Sequence, residues 1–192
     1  MRWFVALILA VACGGAFGQR NNQFSPDFDP EALYLGTTED PGGWKEGELK
    51  LPAFPQPGNL IGFEVSALTS FRFFIDAESI SSGPDGVVRF TLVARSSSGT
   101  ENVSYNGLRC KGSEMKTYAN GRASDQSWVP VRDSKWKELE VKTVTRQYLV
   151  LARDFFCPAR IPISNRAEGL DALKRGIHPN ALSNHTDITR QR

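Results

Sequence analysis

Short runs of apolar residues, some of them alternating with polar ones, dominate the chain between residues 58 and 121. Valine, isoleucine and aromatic residues are enriched in these runs, as they are in β-strands. Short loops that contain glycine separate neighbouring runs and favour antiparallel hairpins. The pattern predicts an antiparallel β-meander of four to six strands, with a bulge at Asn106-Gly107. The predicted strands cover residues 60–65, 71–75, 87–93, 102–110 and 115–119.

A different period governs the C-terminal part of the chain. Tyr148, Leu151, Ala152 and Phe155 stand at positions i, i+3, i+4 and i+7, which predicts an amphipathic helix over residues 146–156.

A second short helix is predicted over residues 167–175. Asn165 followed three residues later by Glu168 is typical of a helix start, and Gly176 is typical of a helix end. Strands that come first and helices that come last indicate an α+β domain, with one or two C-terminal helices packed on one face of the sheet.

The first residues have the pattern of an export signal. Arg2 precedes an unbroken apolar run over residues 3–13, and small residues follow it. A run of this length is too short to span a bilayer, which takes about 20 residues. We therefore expect residues 1–18 to be a signal peptide cleaved between Gly18 and Gln19, and the mature protein to be exported.

A lipid-anchored form is the alternative interpretation of the same segment. Cys13 follows a small residue at the end of the apolar run, although Ala10 stands where a lipoprotein signal has a branched aliphatic residue. The mass of the mature N-terminus distinguishes a lipidated Cys13 from a free Gln19.

Cleavage of the signal leaves two cysteines, Cys110 and Cys157. Exported proteins meet an oxidising environment, so the sequence predicts a disulfide between them that staples the first helix to the sheet. A reactive thiol is the poorer interpretation, because neither cysteine has a histidine nearby and no Cys-x-x-Cys is present.

Composition divides the rest of the chain into a domain and two tails. Residues 19–43 are predicted to be a flexible arm, residues 44–176 a single domain, and residues 177–192 a disordered tail. Three tryptophans of the domain are candidates either for an exposed aromatic platform or for buried anchors of loops, the latter being commoner: Trp44, Trp128 and Trp136.

Charge and motifs exclude several classes of protein. The formal net charge of +2 gives no basis for a nucleic-acid partner. The nucleotide-binding, metalloprotease and serine-hydrolase motifs are missing from the sequence, and both histidines, His178 and His185, fall in the predicted tail. We predict no catalytic residue, no cofactor and no metal site, and no transmembrane segment after the signal.

Distributed residues of the domain nevertheless form a recognisable pattern: Asn102-Val103-Ser104-Tyr105, Gly107, Arg109-Cys110, Glu114, Lys116, Tyr118-Ala119, Gly121, Trp128, Trp136, Tyr148, Asp154-Phe155-Phe156-Cys157-Pro158, Ala172-Leu173 and Gly176. This pattern resembles the cryptic neisserial protein-like family of secreted bacterial proteins, and the resemblance covers about residues 44–176. It implies a single exported domain of a Gram-negative bacterium, and therefore a periplasmic product, whose function is uncharacterised and which has no established catalytic residues.

Two functions fit the sequence. The first is a noncatalytic binding or structural module of the cell envelope, with an envelope protein or a glycan as its partner. The second is a small envelope hydrolase that uses paired carboxylates, for which Asp76, Glu78 and Glu114 are the candidates. Asp76 and Glu78 stand two residues apart and are expected on one face of a strand. A cleft that holds two carboxylates, one with a raised pKa, would favour the hydrolase.

Overall fold

The computed structural model describes residues 43–140 and 145–181. The predicted signal peptide with Cys13, its cleavage site between Gly18 and Gln19, residues 19–42 of the arm and residues 182–192 of the tail lie outside the described residues.

The described residues form one antiparallel sheet, which confirms the predicted meander. Six strands follow one another in the order β1-β2-β4-β5-β6-β7, while β3 pairs with β4 and β8 with β6. The strand predicted over residues 115–119 is longer than expected and is not the last one. The strands are β1 Leu60–Phe63, β2 Arg72–Asp76, β3 Ser81–Ser82, β4 Val87–Arg95, β5 Glu101–Arg109, β6 Glu114–Arg122, β7 Ser127–Pro130 and β8 Lys137–Glu138.

Two helical segments follow the sheet, as the sequence predicts. Helix α1 covers Arg146–Val150 and continues as a π-helix over Leu151–Phe156. Helix α2 covers Arg166–Arg175, where the Asn165 side chain accepts a hydrogen bond from the backbone N–H of Glu168. The apolar period of α1 was therefore a correct guide to its buried face, although the second half is wound more loosely than an α-helix.

The main hydrophobic core lies between one face of the sheet and these helices. Val88, Phe90 and Leu92 project from this face of β4, and the Phe90 ring packs on Phe156 with 5.2 Å between ring centroids. The disulfide between Cys110 and Cys157 joins the end of β5 to the end of the helical segment, with 5.2 Å between the Cα atoms. The predicted staple is thus present.

The folded region extends past residue 177, where the sequence analysis placed a disordered tail. His178 and Ala181 are 4% and 1% exposed. The backbone N–H of His178 donates to the carbonyl of Asp154 at 2.7 Å, and its ring Nε2 lies 2.9 Å from Glu168 Oε1. Polar residues in this stretch suggested a loose chain, but His178 is held by neighbours on both helical segments.

Candidate functional site

The candidate carboxylates Asp76 and Glu78 do not share a strand face, which corrects the sequence analysis. Strand β2 ends at Asp76, and residues Ala77–Ser79 turn as a 3₁₀-helix that breaks the alternation of side chains. Asp76 is buried and its side chain accepts from the backbone N–H of Glu78, while Glu78 is exposed and forms an ion pair with Arg166. Burial raises the pKa of Asp76, and the charge of Glu78 adds to this rise.

Glu114 lies on another part of the sheet. Three inter-strand steps separate β2 from β6, which places Glu114 roughly 14 Å or more from Asp76 at about 4.8 Å per step. Glycosidase carboxylates stand about 5–9.5 Å apart. Glu114 instead forms an ion pair with Arg109 across the turn between β5 and β6, as expected for a structural partner of that arginine.

A small cleft beside the disulfide has a volume of about 440 Å³ and is lined by Glu114 and Glu138, among others. These two residues stand opposite each other in the pairing of β6 with β8. Arg109 already engages Glu114, and Glu138 is exposed. Neither is the desolvated, unpaired carboxyl that serves as a general acid in glycosidases.

The tryptophans predicted as platform or anchors are half-buried and act as anchors. Trp44 and Trp136 meet edge to face with 5.8 Å between ring centroids, and the Arg109 guanidinium lies 4.5 Å from the centroid of Trp44. Trp128 packs on Phe54, and its indole N–H donates to the carbonyl of Pro52 at 2.9 Å. These contacts hold the segment before β1 against the second face of the sheet, opposite the helices.

Glu46 is the polar centre of this second face and was not singled out by the sequence. Its carboxylate accepts from Lys116 Nζ at 2.8 Å and from the Tyr118 hydroxyl at 2.6 Å. Arg89, only 7% exposed, lies 3.8 Å away and forms a two-pronged ion pair with Asp85. The alternation of charged and apolar residues along β4 and β6 indicated a polar face of the sheet, but it does not identify Glu46 as the residue that pairs with that face.

Burial and hydrogen bonding shift the pKa values of the carboxylates in this cluster in opposite directions. Burial acts to raise the pKa of Glu46, but hydrogen bonds from Lys116 and Tyr118 outweigh it, so the pKa lies below its usual range. The pKa of Asp85 is also lowered, because hydrogen bonds from Arg89 and from the backbone outweigh the effect of burial. The cluster is an ion-pair network that fastens the segment, in which both carboxylates are engaged while Arg89 Nε is buried without a hydrogen-bond partner among the described residues. It leaves no carboxylate free for chemistry.

A concavity larger than the cleft beside the disulfide lies on the helix side of the sheet, between β2, β4, β5 and the start of α1. We call it the ligand groove. It has a volume of about 600 Å³, within the range of small-molecule sites. Its apolar lining is Val65, Leu68, Phe71, Phe73, Leu92, Ala94 and Tyr148, and its polar lining is Ser66, Thr69, Ser70, Asn102, Ser104, Arg146 and Gln147.

A buried polar cluster fixes one wall of the ligand groove. The Tyr148 hydroxyl donates to Asn106 Oδ1 at 3.2 Å, and the Thr117 hydroxyl donates to the same atom at 2.9 Å. Asn106 is fully buried and its amide nitrogen donates to Ser104. Because the Tyr148 hydroxyl is engaged inside the protein, the ring presents its apolar surface to the groove.

The described residues offer neither a metal site nor a membrane-spanning helix. Among residues 43–140 and 145–181, no group of three or more histidine, cysteine, aspartate or glutamate side chains is placed to hold a metal ion. In the same part of the chain, every helix is too short or too polar to cross a membrane.

Comparison with known proteins places the chain in a family. The model of the CNP1-like family matches residues 39–174. The chain is also 24% identical over 155 residues to Cryptic neisserial protein 1 of Neisseria gonorrhoeae (strain ATCC 700825 / FA 1090), an alignment that covers 72% of this chain and 75% of that protein. No solved structure matches the chain. The family model spans well over half of the sequence, and the chain therefore belongs to the CNP1-like family.

Proposed function

We propose that this protein is a noncatalytic binding module of the cell envelope that takes a small, largely apolar ligand in the ligand groove. The observation that carries the proposal is the groove itself, an open concavity of about 600 Å³ with apolar side chains along its floor and rim. Glu78 and Glu114, by contrast, are ion-paired with Arg166 and Arg109, and Glu114 lies far from Asp76, so the hydrolase has no comparable support.

The groove combines a rigid floor with an exposed rim. Phe73 and Leu92 belong to the buried core and are 8% and 2% exposed, whereas Leu68 and Phe71 on the rim are 94% and 38% exposed. Covering one large apolar side chain such as Leu68 contributes about 1.5–3 kcal/mol. A ligand that covers both rim residues therefore gains affinity without rearranging the core.

Export to the periplasm is part of the proposal and rests on two features. Residues 1–18 have the composition of a cleavable signal. The Cys110–Cys157 disulfide is of the kind that persists in oxidising compartments. An envelope location would also bring the groove close to amphiphilic molecules.

Binding of a neutral apolar dye, N-phenyl-1-naphthylamine, to the full chain tests the groove. We expect saturable fluorescence enhancement with the wild type, and a dissociation constant at least about tenfold higher in Ala94→Trp, which fills the groove; tenfold corresponds to about 1.4 kcal/mol. Ala123→Trp is the matched control, because Ala123 lies in an exposed turn away from the groove.

Phe71→Ser gives a second variant if Ala94→Trp fails to fold, because Phe71 is on the rim. Absence of saturable binding in the wild type, or equal binding by the groove variants and Ala123→Trp, would remove the groove as the binding site.

A further inference from the structure

The charge around the ligand groove is one-sided. Arg146 is the single charged residue among those described that line it, and it is exposed at the first position of α1. Within the described residues no carboxylate pairs with it. Other arginines, such as Arg89, Arg109 and Arg166, each contact a carboxylate. The groove thus combines an apolar surface with one positive charge, on Arg146, that no described carboxylate neutralises.

We propose that the ligand is a single-chain amphiphile with one carboxylate head, a free fatty acid, whose chain covers the apolar groove while the carboxylate pairs with Arg146. This inference rests on the proposed function, because it assumes that the groove is the binding site. A guanidinium presents two parallel N–H donors to a carboxylate, so it supplies direction as well as charge.

The balance of charge favours a carboxylate over other head groups. One carboxylate neutralises one guanidinium, whereas a phosphate monoester carries about −1.5 to −2 charges at neutral pH and would keep an excess. A quaternary ammonium head would be repelled by Arg146. Asn102 and Ser104, which also line the groove, offer neutral polar groups beside the charged pair.

Three molecules with the same twelve-carbon chain isolate the contribution of the head group: dodecanoate, dodecanol and dodecyltrimethylammonium. Each is titrated against the full chain loaded with N-phenyl-1-naphthylamine, the two charged molecules below their micellar concentrations and dodecanol below its solubility limit. We expect dodecanoate to displace the dye at a concentration at least about tenfold lower than dodecanol, since a hydrogen bond to a charged group exceeds a neutral one. Dodecyltrimethylammonium should be the weakest.

Arg146→Gln should bring dodecanoate to the level of dodecanol and leave dodecanol itself unchanged. Arg72→Gln is the matched control, because Arg72 is an exposed arginine on β2 that does not line the groove. Dodecanoate should displace the dye equally well from Arg72→Gln and from the wild type.

The outcomes separate the two proposals. Equal displacement by all three molecules, or full dodecanoate binding by Arg146→Gln, would overturn the carboxylate inference while the groove stands. Displacement by none of them would count against the groove itself, and with it the proposed function. Dodecyl phosphate is titrated in the same way as a fourth molecule, and tighter binding of it than of dodecanoate would assign a phosphate head and overturn the choice of a carboxylate.

Discussion

Because Gly107 has no side chain, the Tyr118 ring on the neighbouring strand can pack directly over it. The pairing of β5 with β6 slips after Tyr105, so that Tyr105 faces Ala119, Asn106 faces Thr117, and Tyr118 is the extra residue. The sequence predicted a bulge close to this place, but the extra residue is on the partner strand. A Cβ on Gly107 would lie 3.0 Å from Tyr118 Cζ and closer still to its hydroxyl. Only a glycine leaves room for this ring.

Gly107→Ala should therefore lower the free energy of unfolding by about 1–3 kcal/mol, the usual effect of overpacking a core. Urea denaturation followed by tryptophan fluorescence measures the change. Gly58→Ala is the control, because a Cβ at Gly58 meets nothing within 4 Å, and it should be neutral or slightly stabilising. Equal stability of the two variants would show that Tyr118 moves aside at little cost.

The segment before β1 behaves as a structural element although it has no regular secondary structure. Trp44 attaches it to the turn before β4, Glu46 to β6 and Phe54 to β7, on the face of the sheet opposite the helices. Gly121 on β6 permits the close approach, because a Cβ there would lie 2.9 Å from the Phe54 ring. The segment thereby covers charged and aromatic side chains that would otherwise face solvent.

Glu46→Gln should loosen this segment and lower the free energy of unfolding at pH 7 by about 1–2 kcal/mol, through loss of charge-assisted hydrogen bonds. The folded state lowers the pKa of Glu46 from 4.5, so its contribution is present above that value and is lost as the pH falls through the folded pKa. The variant should accordingly lose less stability than the wild type on acidification. Protonation of Asp85 should account for part of the loss that the variant still shows.

Chemical denaturation at a series of pH values measures this difference. Glu48→Gln is the matched control, two residues further on and exposed, and it should follow the wild type at every pH. If Glu46→Gln lost as much stability on acidification as the wild type, Glu46 would not be the group through which the cluster responds to pH.

Local sequence patterns predicted the helices and strands better than they predicted which distant residues contact each other. The spacing of Tyr148, Leu151 and Phe155 was enough to find α1, because helical neighbours are close in sequence. The pairing of Glu46 with Tyr118 spans 72 residues and has no local signature. The end of β2 was predicted to within one residue, but the 3₁₀ turn after Asp76 was not, and so Asp76 and Glu78 were wrongly expected on one strand face. The groove was beyond sequence reasoning for the same reason, since its walls come from β2, β5 and α1.

At the largest scale, the described residues form a sheet whose two faces are covered by unlike layers. Helices α1 and α2 cover one face with apolar packing, and the segment before β1 covers the other with ion pairs and aromatic rings. The disulfide joins the first layer to the sheet at Cys110 and Cys157, at the opposite end of the helical segment from Arg146 and the groove.

Removing both cysteines, as Cys110→Ala with Cys157→Ala, should therefore destabilise the whole fold. Closing a loop between residues 47 positions apart restricts the unfolded chain by about 4 kcal/mol, a large part of a typical total of about 5–15 kcal/mol. Urea unfolding of the oxidised wild type and the double variant should differ by this order. Dithiothreitol should bring the wild type towards the variant and leave the variant unchanged. A variant as stable as the oxidised wild type would show that core packing alone holds the helical layer to the sheet.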